Sequence, residues 1–246
     1  MANDAPDIFP PTRWTLLQRL QDGSGGDAMA ALEQICKSYW SPLYFVARSR
    51  GYTTHDAQDA VQGFFESLLR RETLAKADQA AGKLRQLLLR SFENYCGQQW
   101  HKAARVKRGG AAEHVPFAEW MDSDEAERHF LQTGTSHSTA EQLYNREWAN
   151  SLLKRSLTSL QQDYTHRGWT ERYDALVRLL LEQDDGTAMD AATQRLGTTT
   201  NNVRVILHRM RGHYRDHIER ELGRTLDTDD PILIRKEMVE LFQAMA

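Results

Sequence analysis

Apolar residues recur at three- and four-residue spacing along most of the chain, the period of helices that bury one face. No stretch alternates with period two for long enough to be a strand, so the expected class is all-α. A first helix is expected from Thr12, with Trp14, Leu16, Leu17 and Leu20 inward, and the GSGG run at 23–26 ends it. Asp27 then caps a long helix through Ala31, Leu32, Ile35, Tyr39, Leu43 and Val46 to Arg50, which Pro42 should kink or split. Gly51 closes it. Thr53 and Asp56 fit a capping box for the next helix, whose apolar side is Ala57, Ala60, Val61, Phe64, Phe65 and Leu68. Leu84, Leu87, Leu88, Phe92, Tyr95 and Cys96 mark another. The pattern resumes at Glu141 with Leu143, Trp148, Leu152, Leu153, Leu157 and Leu160, and again from Thr170 to Leu181. DDG at 184–186 precedes the most informative stretch, and Pro231 opens a last helix with Ile234, Met238, Leu241 and Phe242 as its apolar side.

That informative stretch runs from Asp190 to Arg215. It predicts a short helix, a tight turn and a longer helix. Gly197 stands where a helix C-terminus wants a left-handed residue, and Thr198 and Thr199 are N-cap candidates. Val203, Ile206, Leu207, Met210, Tyr214 and Ile218 form one apolar stripe, while Arg204, His208, Arg211 and Arg215 line another face. With the Asn201–Asn202 pair at the exposed end, this is the pattern of a helix-turn-helix that lays its second helix in a DNA groove.

Composition narrows the picture. The 246 residues carry a formal net charge of -3, so nucleic-acid affinity must come from local patches. No run approaches a membrane span, and MANDAPDIFPPTRW lacks the basic start and apolar core of a signal peptide. Cys36 and Cys96 each lie in an apolar helical pattern with no ligand at metal spacing, which suits reduced thiols and a cytoplasmic chain.

A second cationic stretch runs from Lys83 to Arg108. Lys83, Arg85, Arg90, Lys102, Arg105, Lys107 and Arg108 face a single acid, Glu93, and Gln98, Gln99, Trp100 and His101 are interleaved. Cations mixed with aromatics and amides suit unstacked bases. After Gly109–Gly110 the composition turns acidic, with Glu113, Glu119, Asp122, Asp124, Glu125 and Glu127, and reads as a linker. The expected division is a disordered 1–11, a helical domain 12–108, an acidic linker 109–140, a helix-turn-helix domain 141–226 and a helical tail 227–246.

Three blocks together resemble a bacterial RNA polymerase sigma factor of the extracytoplasmic-function (ECF) group. GYTTHDAQDAVQGFFESLL is similar to that family's core-binding helix, GKLRQLLLRSFENYCGQQWHKAARVKR to its promoter-melting segment, and LGTTTNNVRVILHRMRGHYR to its block for the minus-thirty-five element. The opening PTRWTLL resembles one subset of the group. The resemblance covers about Pro11 to Leu226. It implies a sigma domain 2-like helical bundle and a sigma domain 4-like helix-turn-helix, with core RNA polymerase, duplex promoter DNA and a melted single strand as partners. Asp56, Asp59, Gln62 and Phe65 would then bind core polymerase. Asn94, Gln98, Trp100, His101 and Arg105 would hold the melted minus-ten strand. Thr200, Asn201, Asn202, Arg204 and His208 would lie near bases or phosphates of the major groove, with Arg209, Arg211 and Arg215 on phosphates. No covalent chemistry, cofactor or metal is implied.

The core-binding block departs from the family form at Gln58 and Gly63, where acids are usual. Thr53 and Thr54, at the N-terminus of that helix, are candidate phosphorylation sites that would restore negative charge. A Ser/Thr kinase or an anti-sigma factor is the regulatory partner this implies. The tail from Asp227 is another candidate regulatory element. The rivals are an enzyme and a stand-alone helix-turn-helix regulator with an N-terminal interaction domain. His213 and His217 have the spacing of a zinc pair but arginine neighbours and no HExxH pattern, and no phosphate-loop, nucleophile-elbow or dinucleotide fingerprint occurs. The regulator would need no second basic, aromatic-rich surface, so the Lys83–Arg108 block is what separates it from a sigma factor.

Overall fold

Helix signals dominate the structure as they do the sequence. The computed structural model describes residues 13–22, 26–70, 83–103, 122–133, 138–182, 186–226 and 228–245. Among these residues there are ten helices and no strand, so the chain is all-α. The helices are α1 (Arg13–Asp22), α2 (Gly26–Ser49), α3 (Thr54–Leu69), α4 (Leu84–Ala103), α5 (Ser123–Thr133), α6 (Ala140–His166), α7 (Thr170–Leu181), α8 (Thr187–Arg195), α9 (Thr200–Leu226) and α10 (Pro231–Met245). The expected disordered stretch 1–11 lies outside the described residues. No helix among them is long and apolar enough to cross a membrane.

The chain forms two compact units, Met1–Ser151 with Gly223–Ala246, and Leu152–Leu222. In the first, α2 is the central element, and α1, α3 and α5 pack on it. Leu32, Ile35, Tyr39, Leu43 and Val46 of α2 are fully buried, as are Val61 and Phe64 of α3 and Leu88 and Phe92 of α4. Phe64 meets Phe92 edge to face at 5.3 Å. Pro42 does not split α2, which runs on to Ser49 with Pro42 buried inside it. A proline costs a helix interior about 3 kcal/mol, and burial of Leu43, Tyr44, Phe45 and Val46 just beyond it offsets that.

Three features of this unit extend or redraw the expected division. First, the acidic segment is not all linker. Ser123–Thr133 is a helix, α5, whose Ala126 and Phe130 are buried and whose Phe130 meets Phe45 of α2 edge-on at 5.3 Å. Glu127 accepts from Arg48 Nε at 3.0 Å and Nη2 at 2.9 Å, and also from the Tyr44 hydroxyl. Burial pushes the Glu127 carboxyl up, but the Arg48 and Tyr44 bonds outweigh it and hold the group below the ordinary carboxylate range. Second, the division falls at Ser151 and not near 140. Leu143, Tyr144 and Trp148, in the first turns of α6, are buried in this unit, and the Tyr144 hydroxyl donates to the Arg85 carbonyl at 2.8 Å.

Third, the tail belongs to this unit. α10 places Glu237, 2% exposed, against Lys83 and Arg85, and Glu240 accepts from Arg85 Nη2 at 3.0 Å. Arg85 is itself only 6% exposed and its guanidinium lies 4.4 Å over Trp148. This pairing sets the rotation of α10. Leu241 is buried and Ile234 and Met238 are half-buried, but Phe242, expected inward, is exposed.

The second unit is built around Leu160, Tyr164, Tyr173, Leu176, Leu179, Ala192, Val203, Leu207 and Met210. These come from the last part of α6, from α7 and α8, and from α9. Gly168, at φ 71, lets the chain leave α6 in a left-handed turn. Tyr164 meets the rings of Trp169 and Tyr173 edge-on.

Candidate nucleic-acid interface

The helix-turn-helix forms where the sequence places it. α8 ends at Arg195, Gly197 turns the chain at φ 57, and α9 begins at Thr200. Thr199 caps α9: its hydroxyl accepts from the Asn202 backbone N–H at 3.3 Å, and its carbonyl from Val203 N at 3.0 Å. Val203, Leu207 and Met210 point into the core. That orientation turns the opposite side of α9 to solvent. Asn201, Asn202, Arg204, His208, Arg209, Arg211 and Arg215 are exposed and Thr200 is half-buried.

The exposed groups divide by what they already bind. Asn202 Nδ2 donates to Thr198 Oγ1 at 2.8 Å, so this amide is partly spent on the turn. Arg211 Nη2 donates to the Leu179 carbonyl at 3.4 Å, which ties it toward α7. Arg204, His208, Arg209 and Arg215 have no hydrogen bond or ion pair with any other described residue. No acid occurs in α9 before Asp216. The first four turns of α9 are thus a basic surface that no acid among the described residues neutralises.

The two histidines are engaged within this unit. The Tyr164 hydroxyl lies 3.1 Å from His213 Nδ1, and buried His217 has its Nε2 3.8 Å from Asp163. Burial, with Arg220, pushes the His217 pKa down against the pull of Asp163. Among the described residues no group of three or more His, Cys, Asp or Glu is placed to hold a metal ion.

On α4, Arg90, Asn94 and Gln98 are exposed at four-residue spacing and share one face. Trp100 and His101 lie in the last turns of α4, but their side chains, like the whole of Arg105, lie outside the described residues. Lys83 and Arg85, which the charge pattern counts into this cationic stretch, are bound to Glu237 and Glu240. Among the residues whose side chains are described, the stretch offers Arg90 as an open cation beside amides.

On α3 Thr53 is the N-cap, but the reciprocal half of the expected capping box, Asp56 accepting from the Thr53 backbone N–H, is not formed. The Thr53 hydroxyl accepts from Asp56 N at 3.1 Å and donates to Asp56 Oδ2 at 2.7 Å. Asp56, Asp59 and Gln62 are exposed at three-residue spacing. Phe65 is a correction: it is 0% exposed, packed with Phe64 in the core, and cannot meet a partner from this position. Gly63 has a packing reason, because a Cβ there would collide with the Tyr95 hydroxyl of α4. Any side chain at this position would have to displace the Tyr95 hydroxyl. Thr53 is exposed, whereas Thr54 is half-buried with its hydroxyl 3.2 Å from Glu127 Oε1. Each hydroxyl thus already bonds a carboxylate.

Sequence reasoning missed Arg48–Glu127 and Arg85–Glu237, pairs between distant segments that no local pattern announces. It also passed over Val205, an exposed apolar residue in the middle of the cationic face. No family profile, curated protein or solved structure matches this chain.

Proposed function

We propose that this chain is a sigma factor of the ECF type, which binds core RNA polymerase, directs it to promoters and helps open the minus-ten region. The observation that carries the proposal is the face of α9: Arg204, His208, Arg209 and Arg215, exposed and without a partner among the described residues, on a helix entered through a glycine turn and capped by Thr199. Such a face suits the major groove of a duplex, with arginine and asparagine able to pair with guanine and adenine edges. The outward row Asp56, Asp59 and Gln62 on α3 supports docking on a basic polymerase surface, and Asn94 and Gln98 with Arg90 support contact with an unpaired strand.

A second reading is favoured by one observation. With Lys83 and Arg85 bound to α10, the α4 surface is less basic than its sequence, which suits a stand-alone helix-turn-helix regulator. A pull-down with purified bacterial core polymerase separates the two. Retention of the wild-type chain and its loss in Asp56→Lys/Asp59→Lys is expected of a sigma factor. Tight duplex binding without any retention by polymerase would move the function to the regulator. Regulation by phosphorylation at Thr53 is part of the proposal and has its own arm: Thr53→Glu should raise retention. Unchanged retention would remove it.

A further inference from the structure

The cationic face of α9 has an apolar centre. At about 100° per residue, Asn201, Val205 and Gly212 fall within roughly 40° of one another, directly opposite Val203, Leu207 and Met210 of the core. Val205 is 43% exposed. It is not part of the core cluster of this unit, and a β-branched side chain is a poorer helix former than alanine, arginine or lysine. Arg204, His208 and Arg209 surround it, all exposed and without a partner among the described residues. One strip further along, Gly212 is exposed, and an added Cβ there would have nothing within 4 Å. Packing therefore does not require that glycine either, although a glycine in a helix interior costs about 1 kcal/mol relative to alanine.

Both residues make sense if the face closes on an object. A bare position lets the helix backbone come close. An isolated valine among cations asks for a polyanion that carries one apolar spot. Phosphates and sugars carry the charge but offer no such spot in the groove. Among the groups that base edges present in the major groove, the apolar one is the C5-methyl of thymine.

We infer that Val205 reads the methyl group of one thymine, so that the duplex element selected by α9 has a fixed T·A pair beneath its centre. This rests on the reading of α9 as a duplex reader. The experiment is a selection from random duplexes by the full chain in complex with core polymerase. It is followed by replacement of each thymine of the selected element, one at a time, with uracil, which removes only the methyl group. Wild type should lose about fourfold in affinity at one position, the equivalent of about 0.8 kcal/mol for one buried methyl-sized group. Val205→Ala should bind the thymine and uracil duplexes equally and match wild type on uracil. Val205→Thr, which keeps a γ-methyl, should retain the discrimination. Since Val205 is exposed, both variants should melt like wild type by circular dichroism. A selection that enriches no sequence overturns the duplex reading and this inference together. Enrichment with no uracil-sensitive position, or with a sensitivity that persists in Val205→Ala, overturns the inference alone.

Discussion

Two stretches of this chain look alike in sequence and differ in what their charge is for. At the start of α4, Lys83 and Arg85 are held by Glu237 and Glu240 of α10, and Arg85 is buried over Trp148. Along α9, Arg204, Arg209 and Arg215 stand in solvent with no partner among the described residues. A cation that the chain neutralises from within serves the fold. A cation left open is available to something else. The density of basic residues cannot tell these apart, because the neutralising acid can come from anywhere in the chain.

The largest test of the difference is Glu237→Ala. It leaves Arg85 buried beside a missing charge, a change that typically costs about 3–5 kcal/mol. The lower end is expected, since Glu240 keeps its 3.0 Å contact with Arg85 Nη2. Urea unfolding should show the loss, and trypsin should release α10 sooner. A paired Arg85→Met/Glu237→Leu exchange should recover most of the stability, as apolar replacements of buried ion pairs often do. Unchanged unfolding in Glu237→Ala would mean that the α10 contact is not part of the folded core.

Acid pH separates the two units in a second way. Burial pushes the Glu240 carboxyl up, but Lys83 and Arg85 outweigh it and hold the group below its ordinary value. Glu127 behaves alike beside Arg48. A depressed carboxylate contributes stability above its unfolded pKa, near 4.5, and that contribution is lost as pH falls through the folded value. His217 in the other unit is also depressed, chiefly by burial and then by Arg220. For a histidine this means that the neutral form is favoured on folding, so its contribution is present above about 6.5 and fades as pH falls below it. Hydrogen exchange followed from pH 7 downward should therefore show Leu152–Leu222 loosening first, and the α2, α5 and α10 contacts only in the carboxylate range.

Two glycines give the next contrast. Gly63→Ala would drive a Cβ into the Tyr95 hydroxyl. Overpacking costs about 1–3 kcal/mol and helix propensity returns about 1 kcal/mol, so a net loss near 1 kcal/mol is expected. On a Tyr95→Phe background the next atom is Cζ, at an ordinary 3.5 Å, and the same alanine should stabilise. Gly212→Ala meets nothing and should stabilise by about 1 kcal/mol outright. Thermal melts of the three variants check the signs.

What could be read from the sequence was what is local. Thr53, Gly197 and Thr199 act on residues one to three positions away, so their caps and turns stood in the letters themselves. The α9 core stripe was legible for the same reason. The helix at Ser123–Thr133 was hidden by its acids, although Asp122 accepting from Glu125 N and the Ala126–Phe130 spacing were there to see. Phe65 is buried with Val61, Phe64 and Leu68, and that apolar spacing points it inward whatever the surrounding motif resembles. The Glu237–Arg85 pair joins residues far apart in the chain, and no local signal could have announced it.

The smallest effect on folding is expected where the largest effect on binding is proposed. Arg204→Ala and Arg209→Ala remove exposed side chains that touch no acid among the described residues, and exposed substitutions of this kind change stability by less than about 0.5 kcal/mol. If the open cations of α9 meet a duplex, each loss should weaken binding. A phosphate contact should be lost equally on all sequences and should lower the salt slope by about 1, whereas a guanine contact should cost about 1–3 kcal/mol and relax the preference at one position. Arg85→Ala is the opposite case, with a large loss of stability and no direct role at the groove. Salt-dependent duplex binding by the three variants, each beside its own urea curve, tests whether unpaired charge marks function in this chain. The proposed division fails if Arg204→Ala and Arg209→Ala leave both the affinity and the salt slope where they were.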